Sequence, residues 1–169
     1  DDEPVETSLR GKAYFGLAQM FFERSNVIRY GFYRSQVLGL VGPGGLLGAA
    51  VEKKKLLGST PFLWDIFTYL YNFENNPPLV RGLARYEIAQ SYYLDGLWHA
   101  FSIAMSDCGR LIPHHTCYLS MQAHYAFFQR NDPRRAKSYL QQITSHTYSS
   151  HQLAAVVISS LNDKEALIF

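Results

Sequence analysis

Four residues of metal-ligand type, Cys108, His114, His115 and Cys117, crowd into ten consecutive positions. Zinc is held by thiolate sulfur and imidazole nitrogen, so the residue types suit it. The spacing C-x5-H-H-x-C fits no common zinc site, and adjacent histidines at a helix start rarely reach one ion together. Polar residues at such a turn ordinarily cap the helix that follows. That reading is the stronger one, and no bound metal is expected.

Catalysis needs a nucleophile, a base within reach and a group that orients the base. His99, His124, His146 and His151 are scattered through helical segments. Asp65, Glu87, Asp95 and Asp107 form no evident pair. Neither a Gly-x-Ser-x-Gly elbow nor a His-Glu-x-x-His string occurs. No catalytic residue is assigned, and the chain is not expected to be an enzyme.

The run Gly42-Pro43-Gly44-Gly45-Leu46-Leu47-Gly48 invites a phosphate-binding reading. A phosphate loop needs Gly-Lys-Ser/Thr after four spacers, and the dinucleotide pattern needs a sixth-position glycine where Leu47 stands. A linker or partner-contacting loop is expected instead, with no cofactor. Basic residues group at Lys53-Lys54-Lys55 and at Arg130, Arg134, Arg135 and Lys137. A solvated turn is the ordinary explanation of the second group, with an acidic protein surface or RNA phosphate as alternatives.

The elements that would position these residues are helical. Residues 1–7 are acidic and polar and read as a flexible arm. From Ser8 to Leu40 the pattern is helical, with a join near Arg24-Ser25-Asn26, and Gly42-Pro43-Gly44-Gly45 stops it. Ser59-Thr60-Pro61 combines a hydroxyl cap with Pro at a first helical position and opens an aromatic helix, Phe62 to Phe73. Helices over Leu79–Leu94 and Leu97–Cys108 follow, the latter closed by Gly109. The segment from Tyr118 to Ile143 reads as a hairpin, with a turn at Arg130-Asn131-Asp132 and Pro133 opening the second helix. Gln152 to Leu161 is expected as a terminal helix.

Two hairpins repeat at a fixed interval. Phe128 lies 35 residues after Tyr93, and Ala136 lies 36 after Ala100. An aromatic first helix, a turn carrying Gly or Asn, and a second helix with a small residue make a unit of that length. The pattern resembles the pentatricopeptide and tetratricopeptide repeat families, and GRLIPHHT, residues 109–116, is similar to the linker between pentatricopeptide repeats. The resemblance implies an all-α fold: a short right-handed solenoid of about three repeats and seven or eight helices. One domain over 1–169 is expected, with N-terminal helices and a Gly-rich loop over 8–57, a repeat core over 60–148 and a capping helix over 149–169.

Pentatricopeptide proteins typically bind single-stranded RNA. Their base-reading position in the first helix falls here on Leu119 or Met121, which cannot hydrogen-bond a base edge. Protein contacts therefore suit the chain better than RNA. Its size and degenerate repeats resemble the small pentatricopeptide-like accessory subunits of euglenozoan (trypanosome-type) mitochondrial F1-ATPase. That resemblance implies a mitochondrial location, in the matrix or at the matrix face of the inner membrane. It also implies a seat on the outside of the ATP synthase catalytic head, against the α subunit.

Composition agrees with a packed chain. Of 169 residues, 47% are hydrophobic and 15% aromatic, which excludes disorder over most of the length. The net charge of +2 does not demand a polyanionic partner. Two cysteines are too few for a secreted disulfide scaffold, and a reducing compartment fits. A start at Asp1-Asp2-Glu3-Pro4 without Met reads as a processed form. The longest uncharged run, Ser35 to Val51, carries five glycines and a proline and is not expected to span a membrane. Tyr93, Phe101, Tyr125, Phe128, Ala136 and Leu140 are expected to be largely buried. The aromatic half from Phe21 to Phe73 is expected to dock a partner, with Leu40, Val41, Leu46 and Leu47 on the exposed loop and Arg130, Arg134 and Arg135 as a distant polar rim.

Overall fold

Helix signals in the sequence recur so regularly because the described chain is helical nearly throughout. The computed structural model describes residues 3–144. These form seven helices: α1 (Glu3–Glu23), α2 (Val27–Leu57), α3 (Pro61–Asn72), α4 (Pro78–Leu94), α5 (Trp98–Leu111), α6 (Thr116–Phe128) and α7 (Pro133–Thr144). Among the described residues there is no strand. The described residues divide after Ser91, in the last turn of α4, into two compact units. The terminal helix expected over 152–161, and the cap over 149–169, lie outside the described residues.

Local chemistry sets most helix ends. The Asn26 side chain accepts from the Arg29 amide and starts α2, and Thr60 accepts from the Leu63 amide ahead of Pro61. Ser25, Gly96 and Asn131 turn the chain with φ of 57°, 70° and 51°, the left-handed region that short polar residues and glycine tolerate. Two expected boundaries are corrected. The arm over residues 1–7 is helical from Glu3, and α5 runs through Gly109 to Leu111.

The Gly-rich segment is corrected as well. It forms no loop: α2 continues across it with one non-helical residue, Gly42, at φ 71° and ψ 176°. Pro43 then opens the following helical turns, where its missing N–H leaves no intrahelical bond broken. Gly45 is needed for a different reason, since a Cβ there would stand 2.5 Å from Cβ of Val41. That neighbour is fixed to the backbone and cannot swing aside. Gly45→Ala is expected to lower stability by about 1–3 kcal/mol, measured by urea unfolding. A variant as stable as the parent would show that the kink relaxes without cost.

In the first unit α1 and α2 pair along their length and α3 packs across them. Phe15, Val37, Leu46, Ala50, Phe62 and Ile66 are buried there. In the second unit α6 and α7 form a hairpin around Leu119, Ala123, Ala126, Ala136, Leu140 and Ile143. Ala136 is 0% exposed, so the helices touch where a larger side chain has no room. Ala136→Leu is expected to cost about 1–3 kcal/mol, read as a fall in melting temperature. An unchanged melting temperature would mean that this contact is not close-packed.

Candidate protein-contact surfaces

Among the described residues, two open clefts and a set of exposed apolar side chains are features a ligand or partner could use. The first unit's cleft is lined by Arg34, Asp65, Thr68, Tyr69, Asn72 and Phe73, from α2 and α3 and the residue after α3. Its charges are mostly engaged, although Arg34 Nε is buried without a hydrogen-bond partner among the described residues. The Arg34 guanidinium lies 3.9 Å from the Tyr69 ring centroid and 3.5 Å from Asp65, which accepts a hydrogen bond from buried Tyr30. Burial, with the Asp65 carboxylate beside it, pushes the Tyr30 hydroxyl far above its usual range, so it stays a donor. This network ties α2 to α3.

The second unit's cleft has a volume of about 360 Å³ and lies where α5, α6 and α7 converge. Phe101 and Met105 of α5, both nearly inaccessible, form its floor. Ser102 and Ser106 stand exposed along one rim. Tyr118, Gln122 and Tyr125 of α6 lie one turn apart along its length, and Gln122 donates to the Tyr118 hydroxyl at 3.1 Å. Arg130, Arg135 and Tyr139 complete it. Gly109 permits the close approach of Tyr118: a Cβ there would lie 2.7 Å from the tyrosine oxygen.

Each expected contact residue can now be placed. Leu46 and Leu47 are 0% and 7% exposed, so they are core and not a docking surface. Their burial follows from helix that resumes at Pro43 and turns both side chains inward. Leu40 and Val41 are half-buried, and Arg130, Arg134 and Arg135 are exposed. Arg130 and Arg135 line the α5–α6–α7 groove, whereas Arg134 does not. Of the six residues expected in the core, Phe101, Ala136 and Leu140 are buried, and Tyr93 and Tyr125 are half-buried. Phe128 is 58% exposed. It sits two residues after Ala126, about 200° round α6 from the Leu119–Ala123–Ala126 face that packs on α7, and its ring contacts His124 and Phe127 instead.

The lysine run is likewise mostly committed. Lys54 reaches Glu87 and Gln90, and Lys55 pairs with Glu52. In the Cys–His cluster, the His115 ring accepts from the Cys117 amide at 3.1 Å and caps α6, while Cys108 is buried in α5. Burial lowers the His115 pKa, which keeps the accepting nitrogen unprotonated at neutral pH. Among the described residues, no three His, Cys, Asp or Glu side chains come together as a metal site.

Apolar side chains also stand in solvent. Ile28 and Phe32, one turn apart on α2, are 86% and 56% exposed. In the second unit Leu94, Leu97 and Trp98 are exposed around the α4–α5 turn. Sequence reasoning pointed to this N-terminal half but chose the glycine-flanked leucines, because a broken helix leaves such residues uncovered. Among the described residues, no helix is long and apolar enough to cross a membrane. No protein-family model, curated protein or solved structure is matched by the chain.

Proposed function

We propose that this chain is a non-catalytic helical-repeat subunit of a larger protein assembly, with its hairpins stacked as a short right-handed solenoid. The observation that carries the reading is the pair Ile28 and Phe32, adjacent on one helix and largely exposed. Apolar side chains exposed together on one helix are the kind of feature a protein contact uses. The hairpin over residues 116–144, with its buried alanine, supports the repeat architecture. The resemblance to the accessory subunits of euglenozoan mitochondrial F1-ATPase supplies the assembly: the outside of the ATP synthase head, at the α subunit, on the matrix side. A short RNA-binding repeat protein is the alternative. It has less support, because of the two candidate base-reading residues Leu119 is 1% exposed in the hairpin core and half-buried Met121 has no group that hydrogen-bonds a base edge.

Purification of the native protein with stoichiometric partners, identified by mass spectrometry, tests the reading. Ile28→Ser with Phe32→Ser should reduce partner recovery while leaving helix content unchanged. Recovery of the chain alone, together with salt-sensitive binding to single-stranded RNA, would favour the alternative.

A further inference from the structure

We propose that the groove between α5, α6 and α7 receives an extended acidic segment of the partner, its carboxylates paired with Arg130 and Arg135. This rests on the reading of the chain as a protein-binding subunit and supplies the chemistry of what it binds.

Charge is the first argument. Residues 92–144 hold five Lys and Arg (Arg110, Arg130, Arg134, Arg135, Lys137) against three Asp (Asp95, Asp107, Asp132). Asp107 is taken by Arg110, and the Asp132 carboxylate accepts the Arg135 amide at 3.0 Å, which caps α7. Among the described residues, neither Arg130 nor Arg135 has a carboxylate within 4.0 Å of its guanidinium. Both are exposed at one end of the groove, where a planar fork can take a carboxylate with two parallel bonds.

The lining favours a peptide over a nucleic acid. Base stacking needs free aromatic faces. Phe101 is 1% exposed, and the Tyr125 ring is already packed on Phe101 at 4.9 Å and on Trp98 at 6.0 Å, with the Arg130 guanidinium 5.9 Å away. Tyr118 and Tyr139 also line the groove, partly buried against the α6–α7 core. The groups left to bond the main chain of an extended segment are the Ser102 and Ser106 hydroxyls and the Gln122 side-chain carbonyl, the Gln122 side-chain amide being given to Tyr118. About 360 Å³ accommodates a few side chains of such a segment.

The test titrates the purified chain with a fluorescein-labelled peptide alternating Glu and Leu, with the Gln–Leu peptide beside it, and follows anisotropy at low and high salt. The acidic peptide should bind at least about tenfold more tightly than its Gln counterpart and weaken with salt. Arg130→Gln with Arg135→Gln should remove about tenfold of that affinity, whereas Arg134→Gln should change it by less than about twofold. Equal binding of the two peptides by the parent chain overturns the proposal, and that comparison needs no variant to fold. Equal binding by the double variant, with an unchanged melting curve, overturns it too, as does an oligo-uridine that binds more tightly than the acidic peptide. Native co-purification separates the two readings. A double variant that keeps its partners while losing the peptide removes the groove alone as their site; a parent chain without partners removes the subunit reading itself.

Discussion

Phe62→Ala is expected to destabilise the first unit by about 3–5 kcal/mol, the largest effect of any single substitution in it. Phe62 opens the buried face of α3 and is 2% exposed. Its ring meets Phe15 of α1 edge-on at 5.3 Å, Phe22 of α1 at 5.7 Å and Tyr30 of α2 at 6.2 Å. Three helices therefore depend on one side chain. Truncation loses the transfer energy of the ring and leaves a cavity walled by other rings, which are too rigid to collapse into it. Chemical denaturation followed by circular dichroism measures the loss. A fall of less than about 1 kcal/mol would mean that the aromatic cluster is loosely packed.

The same cluster shows what the sequence discloses and what it hides. Periodicity and capping residues suffice for the helices between residues 61 and 144, the end of α5 excepted. Thr60-Pro61, Pro78, Asp95-Gly96 and Asn131-Asp132-Pro133 mark ends that the structure repeats within a residue or two, because each signal acts on its own backbone. The Gly-rich segment misleads because composition cannot tell a loop from a kink one residue wide. Gly42 does break the helix, but Pro43 restarts it at once, and Leu46 and Leu47 return to the core. Gly109 misleads in the opposite way: it stands inside α5 to admit Tyr118, a contact made by a residue on another helix. Phe128 continues the aromatic pattern of α6, yet the face that packs on α7 runs through the small residues Ala123 and Ala126 with Leu119, and Phe128 stands on the opposite side.

The groove is legible only in part. Arg130 and Arg135 stand out as cations beside a turn, and that signal is local. Ser102, Ser106 and Gln122 carry none, because their relevance comes from the convergence of three helices. Arg134 shares the composition of its neighbours and still does not line the groove. Successive residues on a helix project about 100° apart, so adjacency in the chain separates their side chains.

Glu87→Ala should cost about 3 kcal/mol, although in the sequence Glu87 is one carboxylate among many. Lys54 Nζ lies 2.6 Å from the Glu87 carboxylate, 3.1 Å from the Glu87 carbonyl oxygen and 2.9 Å from Gln90 Oε1, so all three ammonium protons have acceptors. The paired side chains are 11% and 13% exposed, which makes this a largely desolvated ion pair joining α2 to α4 within the first unit. Removing the carboxylate leaves a cation short of solvent with two neutral acceptors, and those two keep the loss near the lower end for a broken buried pair. Replacing both charges, Lys54→Met with Glu87→Leu, removes the desolvation penalty together with the attraction and should return stability to within about 1 kcal/mol of the parent. The double-mutant cycle of Lys54→Met, Glu87→Leu and the two together, measured by urea unfolding, reads the coupling directly. Additive losses in the double variant, or a Glu87→Ala protein as stable as the parent, would show that Lys54 reaches solvent and that the α2–α4 contact is held by apolar packing instead.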